Sequence, residues 1–163
     1  MATKAKIKII DNNNIRAKID ELYELTDQVD LAKWSISLAK HILRLLGIDY
    51  NKVYEIVVGF KTNELWQQYG DTRVHDVRQA GFAVHRLARE TKDEIYKTAL
   101  RSVGQAISSS HMREHSMIAS DYAIKVIGLL TSNNIDAISN EREWQLNELK
   151  KISKKNKNIH KLN

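Results

Sequence analysis

The sequence predicts an all-α fold, a single-domain bundle of six to seven helices with largely antiparallel neighbours and no sheet. Three observations carry that expectation. Proline is absent from all 163 residues and glycine occurs six times, while Ala, Leu, Ile, Lys, Arg and Glu, mostly strong helix formers, dominate. Apolar residues recur at spacings of three and four rather than alternating. The polar breaks between those runs are short, as expected where successive helices fold back on one another. The length suits one domain with a substantial core.

Residues 1–14 form a weakly patterned lead-in, with a short extended piece at 7–10. Asn13 or Asn14 caps a first helix reaching Leu25, with Ile15, Ile19, Leu22 and Leu25 on one face. Thr26 or Asp27 opens a second helix to Leu46, which Gly47 stops in a left-handed conformation. Leu31, Trp34, Leu38, Ile42, Leu45 and Leu46 form its apolar stripe, and Lys33, Ser37, Lys40, His41 and Arg44 lie opposite, which puts His41 in solvent. Asp49 opens a third helix to Tyr69, carrying Val53, Ile56, Val57, Phe60, Leu65 and Trp66 and ended by Gly70 and Asp71. Thr72 caps a fourth from Arg73 to Glu90, whose inward positions Val77, Ala80, Gly81, Val84 and Ala88 are small.

Thr91 and Glu94 match a capping box and start the fifth helix. Ser108, Ser109 and Ser110 end it, because serines compete for backbone hydrogen bonds. A sixth helix follows from Met112 to Leu130, then a turn at 131–134 and a seventh helix from Ile135 to Ile152. The helical domain is thus 15–152, and residues 153–163 are a lysine-rich tail.

The charge is concentrated at the ends. Six lysines and no acid lie from Lys150 onward, and Lys4, Lys6 and Lys8 add three more; of 26 basic residues, 17 remain in the body against 20 acids. A nucleic-acid binder is expected to show a basic face on folded elements, whereas a lysine-rich tail is ordinarily a solubilising end. Nucleic acid is therefore an unlikely partner. Without cysteine there are no disulfides, thiolate chemistry or cysteine-bound metals. Residues 1–10 lack the apolar core of a signal peptide, and no run is long enough for a membrane helix. The expected location is cytoplasmic, with no membrane partner.

Residues 101–126 stand out. Ala99, Ser102, Gly104, Ala106 and Ser108 spend helix propensity on small side chains, which lets a neighbouring helix or ligand approach closely and places this segment at the centre of the fold. Small inward faces on helices four and five suggest a tightly packed pair with polar groups on its rim. His85 and Arg89 share a face four residues apart, and Arg101, His111 and His115 are positioned to meet them. His111 and His115 have the spacing of a metal-ligand pair, but Met112 stands where a zincin motif needs Glu. Asp121 lies about 120° from His115 around an ideal helix, a poor third ligand, and pairs more naturally with Lys125 four residues on. His115 also reads as a core-edge histidine at the head of a stripe of Ile118, Ala119, Tyr122, Val126 and Leu129. There is no phosphate loop, nucleophile elbow or catalytic cysteine. Serines beside His111 do not make a triad, which is a matter of geometry. No cofactor is expected.

The succession V-R-Q-A-G-F-A-V-H-R-L-A-R (77–89), A-L-R-S-V-G-Q-A-I-S-S-S-H-M-R-E-H (99–115) and D-Y-A-I-K-V (121–126) resembles the helical immunity proteins of bacterial polymorphic-toxin systems, the immunity-protein-five-like group. That group shows a helix ending A-H-x-x-A-R, then R-A-x-G-x-A, a pair H-x-x-x-H and a Y-A-L/I-K segment. Trp34 and E-R-E-W-Q-L (141–146) look like its flanking pieces, so the similarity covers about 27–152. The chain departs in Val84, where alanine is usual, and in Arg113, where proline is common, which leaves the start of helix six open.

The resemblance implies a non-enzymatic inhibitor that binds and neutralises a cognate toxin domain, by covering its active face. It maps the family motif onto His85, Arg89, Arg101, His111, His115 and Tyr122, as a structural seam or as a binding site. Two other classes stay open. A histidine-dependent metal-binding protein or enzyme would use His111 and His115, and a nucleic-acid-associated protein would use the lysine ends. A homodimer is also compatible with the sequence.

Overall fold

The computed structural model describes residues 2–70 and 72–160, the last six of these by backbone alone. Seven helices follow in order: α1 (Asn13–Glu24), α2 (Gln28–Leu45), α3 (Tyr54–Tyr69), α4 (Val74–Glu90), α5 (Glu94–Ser108), α6 (Glu114–Thr131) and α7 (Ile135–His160), with a 3₁₀ turn at Tyr50–Lys52. No strand occurs among the described residues. The all-α class read from the sequence is the fold.

Helix α5 is the centre. It packs along α4 on one side and α6 on the other, with α2 crossing both α5 and α6; α3 lies beside α4, and α1 pairs with α7. Small residues permit this crowding. A Cβ placed on Gly81 of α4 would lie 2.5 Å from the Ser108 hydroxyl and 3.4 Å from the Gly104 carbonyl of α5. The core fills the remaining space with Trp34, Leu38 and Ile42 of α2, Leu100, Val103 and Ile107 of α5, and Met117, Ala123 and Ile124 of α6.

Several boundaries differ from the sequence expectation because neighbouring residues compete for each cap. Asn12, not Asn13 or Asn14, caps α1, accepting from the Ile15 amide. Asp27 caps α2 through the Asp30 amide, while the Thr26 hydroxyl turns back to the Leu22 carbonyl. Asp49 caps the 3₁₀ turn rather than α3. Gly47 and Gly70 adopt left-handed φ of 68° and 67°, which suits the stops read there; Asp71 lies outside the described residues. Arg73, not Thr72, precedes α4, with no side-chain cap. The capping box is not formed. Thr91 closes α4 by donating to the Leu87 carbonyl, and Asp93 caps α5 at the Tyr96 amide. Helix α6 starts at Glu114, two residues later than expected, and the α7 backbone is helical through His160, beyond the Ile152 end read from the sequence.

The three serines end α5 as expected, with help. Ser109 and Ser110 donate to the carbonyls of Ala106 and Ile107. Asn63 of α3 donates to the same two carbonyls at 3.2 and 2.9 Å, and Gln28 of α2 donates to those of Ser109 and Ser110. The exposed-end problem of a buried helix terminus is solved by side chains from two other helices.

A buried ionic lock holds α1, α6 and α7 to the N-terminal segment. Arg142, 0% exposed, donates to both Asp11 carboxylate oxygens at 2.9 and 2.7 Å and to Asp121 at 2.8 Å. Arg16 donates to both Asp121 oxygens at 2.9 Å and to the Thr3 carbonyl. Ser120 and Gln145 accept the remaining Arg142 proton positions. The partners of Asp121 are therefore these two arginines and not Lys125, a correction to the i,i+4 reading. His41 is a second correction. Instead of facing solvent it stacks on Trp144, with centroids 3.7 Å apart and 8° between planes, and bonds Glu141 at 3.0 Å, because α7 covers the polar side of α2.

Candidate functional site

Where α4, α5 and the start of α6 meet, the polar rim of the small-residue seam opens into a cleft of about 470 Å³. Spacing explains which side chains face it. On α4, Arg78, Phe82, His85 and Arg89 recur at four, three and four residues; on α5, Arg101, Gln105 and Ser108 recur at four and three. His111, in the turn before α6, and His115 and Tyr122 on α6 complete the wall. All six residues to which the resemblance assigns the family motif, namely His85, Arg89, Arg101, His111, His115 and Tyr122, line this one cleft. Arg78, Phe82, Gln105 and Ser108 join them outside the motif, and their helical spacing from His85 and Arg101 is the signal in the sequence that points to them.

Gly104 sets the depth of His85. A Cβ at Gly104 would lie 2.7 Å from Cε1 and Nε2 of the imidazole, so the ring is seated directly on the α5 backbone. Its Nδ1 is buried without a hydrogen-bond partner. Burial first, and then the positive charges of Arg101, Arg89 and His115, lower its pKa to about 4. His115 is also lowered, by burial and then by His111, against a smaller opposing effect of Glu114. Its Nδ1 donates to Gln105 Oε1 at 2.7 Å, which leaves Nε2 as the acceptor nitrogen of the neutral ring.

The cleft is cationic and uncompensated. Its lining has three arginines, three histidines and no acid, and no carboxylate among the described residues pairs with Arg78, Arg89 or Arg101. Arg78 lies over the Phe82 ring at 5.7 Å. A residue model of the family described as "Imm-5 like putative immunity protein" matches residues 21–152. The chain belongs to this family. No curated protein and no solved structure gives a significant match. Within this family member, the matched region takes in every lining residue of the cleft and, of the ionic lock, Asp121 and Arg142 but not Asp11 or Arg16.

The family pieces outside the cleft have structural explanations. In E-R-E-W-Q-L, Glu141 and Trp144 hold His41, Arg142 anchors the lock, Gln145 donates to the Ser120 carbonyl and accepts the Trp34 indole through its own carbonyl, and Leu146 is core. Arg113, at the position where proline is common, donates to the Tyr23 and Thr26 carbonyls at 2.6 and 3.2 Å, with its guanidinium 4.6 Å from the Tyr23 ring centroid. It thereby ties the start of α6 to the end of α1.

As a metal site the cleft is poorly equipped. His111 and His115 have ring centroids 6.2 Å apart at 31°, and His111 precedes the helix, so the pair lacks a fixed i,i+4 geometry. No group of three or more metal-binding side chains occurs among the described residues. Ser108 donates to the Gly104 carbonyl, and no acid lines the cleft with it to orient a histidine. No described helix is long and apolar enough to cross a membrane.

Proposed function

We propose that the chain is an immunity protein that binds a cognate bacterial toxin domain in the cytoplasm and neutralises it by covering its active face, without catalysis. The observation that carries this reading is the family match over most of the chain. The outer side of α3 supplies a surface suited to it. Tyr54 and Tyr69 are 77% and 69% exposed, and Val58 and Leu65 lie between them on the same side at spacings of four, seven and four. Tyrosine-rich apolar patches bounded by polar residues are characteristic of protein interfaces. Lys61 and Gln68, also exposed on this helix, provide the polar margin.

The test is co-expression with a candidate toxin domain sought in the neighbourhood of this gene, together with titration of the two purified proteins. Protection of growth and a stoichiometric complex are expected, and a Tyr54→Glu/Tyr69→Glu variant should weaken binding by ~10-fold or more, as loss of interface tyrosines commonly does. A chain that neither binds the domain nor protects the cell defeats the reading. Intact binding by the double variant moves the interface off α3.

A further inference from the structure

We propose that the cleft between α4, α5 and α6 is a binding site for a phosphate group carried on a small organic molecule, a phosphate monoester of about mononucleotide size. The donors come from three directions: Arg89 from α4, Arg101 from α5, and His111 from the turn before α6. A planar carboxylate is satisfied by one arginine fork, whereas a tetrahedral dianion has three oxygens to satisfy and draws on several donors at once. The lining offers positive charge from three guanidinium groups and no acid to cancel it. Uncompensated arginines held together repel one another, and a multivalent anion removes that repulsion.

Size and composition favour a carried phosphate over the bare ion. A volume of about 470 Å³ falls in the range of small-molecule sites and greatly exceeds one tetrahedral anion. Phe82 of α4 and Tyr122 of α6 add aromatic rings to the lining, where they can cover an apolar or aromatic part of the ligand. His85 sits at the floor with a buried nitrogen that has no partner. The groups facing it are Arg89 on its own helix, Arg101 on α5 and His115 on α6, with His111 and Tyr122 lining the same cleft; none is acidic. A bound phosphate reverses the sign of the field at this ring, so ligand binding and protonation of His85 reinforce each other.

The site is separate from the α3 face and does not rest on toxin binding; the titration below contains no toxin, so either reading can fail alone. The probe is AMP, added to the whole chain and followed by ¹H–¹⁵N correlation of the histidine rings and by calorimetry, with adenosine and inorganic phosphate as comparators. AMP should bind more tightly than either comparator, shift the His85, His111 and His115 rings, and move His85 protonation upward from about 4. Arg101→Gln should weaken AMP by ~10-fold or more, the usual scale for losing a charge-assisted contact. Arg44→Gln, on exposed α2 surface away from the cleft, should leave it unchanged. The proposal is overturned if millimolar AMP leaves the three rings unmoved, if adenosine or inorganic phosphate binds as well as AMP, or if Arg44→Gln weakens binding as much as Arg101→Gln. Circular dichroism of both variants separates loss of the site from loss of the fold, and a His85→Gln chain that still binds AMP should do so without proton uptake at that position.

Discussion

Asp121→Asn removes the charge that two buried arginines share. Asp121 is 2% exposed and accepts three hydrogen bonds, two from Arg16 at 2.9 Å and one from Arg142 at 2.8 Å, and its charge keeps Arg16 protonated against burial. Breaking a buried pair by deleting one partner costs ~3–5 kcal/mol because the other charge is left uncompensated. Here the two arginines differ. Arg142 keeps both oxygens of Asp11, so most of the loss falls on Arg16, which retains the Thr3 carbonyl and the weaker charge influence of Asp20 and Asp11. Asparagine also preserves one acceptor. The expected cost is therefore at the lower end, ~3 kcal/mol, or ~6–12 °C in Tm for a chain of this size.

Urea denaturation followed by far-UV circular dichroism measures it, with an unchanged m-value indicating that the native state is still intact. Adding Arg16→Met should recover part of the loss, since it removes the stranded charge, with a coupling of ~1–3 kcal/mol in the double-mutant cycle. A cost below ~1 kcal/mol, or strict additivity with Arg16→Met, would refute the view that this lock fastens the N-terminal segment to α6 and α7.

Two further outcomes follow from the cleft and the core. In the folded chain the His85 pKa is lowered to about 4 from the ordinary 6.5; the unfolded chain thus binds more protons between those values, and stability falls as pH drops through that window. The full shift corresponds to ~3 kcal/mol, reduced to ~1–2 kcal/mol because the ring is only partly buried. Urea midpoints between pH 7.5 and 4.5 should decline less steeply in His85→Gln than in the unaltered chain, and coincident slopes would dismiss the effect. Gly59→Ala and Gly104→Ala should also differ: the first drives a Cβ into fully buried Ile107, whose Cγ1 would be 2.9 Å away, and should cost ~1–2 kcal/mol after the helix-propensity gain. In the second the His85 ring can swing into the open cleft, so stability should change little while AMP binding is lost; equal stability changes in the two variants would contradict this.

The helices were legible because a period of 3.6 writes their apolar faces into the sequence, as with Leu31, Trp34, Leu38 and Ile42. The placement of His41 was not, since a single helical wheel assigns one wet side, and α2 is covered on both, by α5 and α6 on one and by α7 on the other. Asp121 shows the second limit. Its partners are 105 and 21 residues away, and no local spacing rule reaches that far, so Lys125 was the natural but incorrect choice. Caps were displaced by one or two residues wherever the chain offers several candidates in a row, as at Asn12, Asn13 and Asn14. The cleft was half legible: i,i+4 spacing joins His85 to Arg89, and the same rule extended along both helices reaches Arg78, Phe82, Gln105 and Ser108, but only the close approach of α4 and α5 makes those two rows one wall.

That close approach also explains why positive charge collects in a chain whose body has fewer bases than acids. Asp11 and Asp121 are committed to Arg16 and Arg142, Glu141 to His41, and Glu64 to Lys40. None of these acids lines the cleft. At the rim, Gly81 and Gly104 bring two backbones together and press the His85 ring against α5, so the arginines flanking it on each helix are drawn into proximity by packing rather than by mutual attraction. Proximity of like charges without counter-charge raises the free energy of the empty site. The small-residue seam that seats the His85 ring on α5 therefore also builds the anion affinity, and a side chain at position 104 would disperse the site while leaving the core packing little changed.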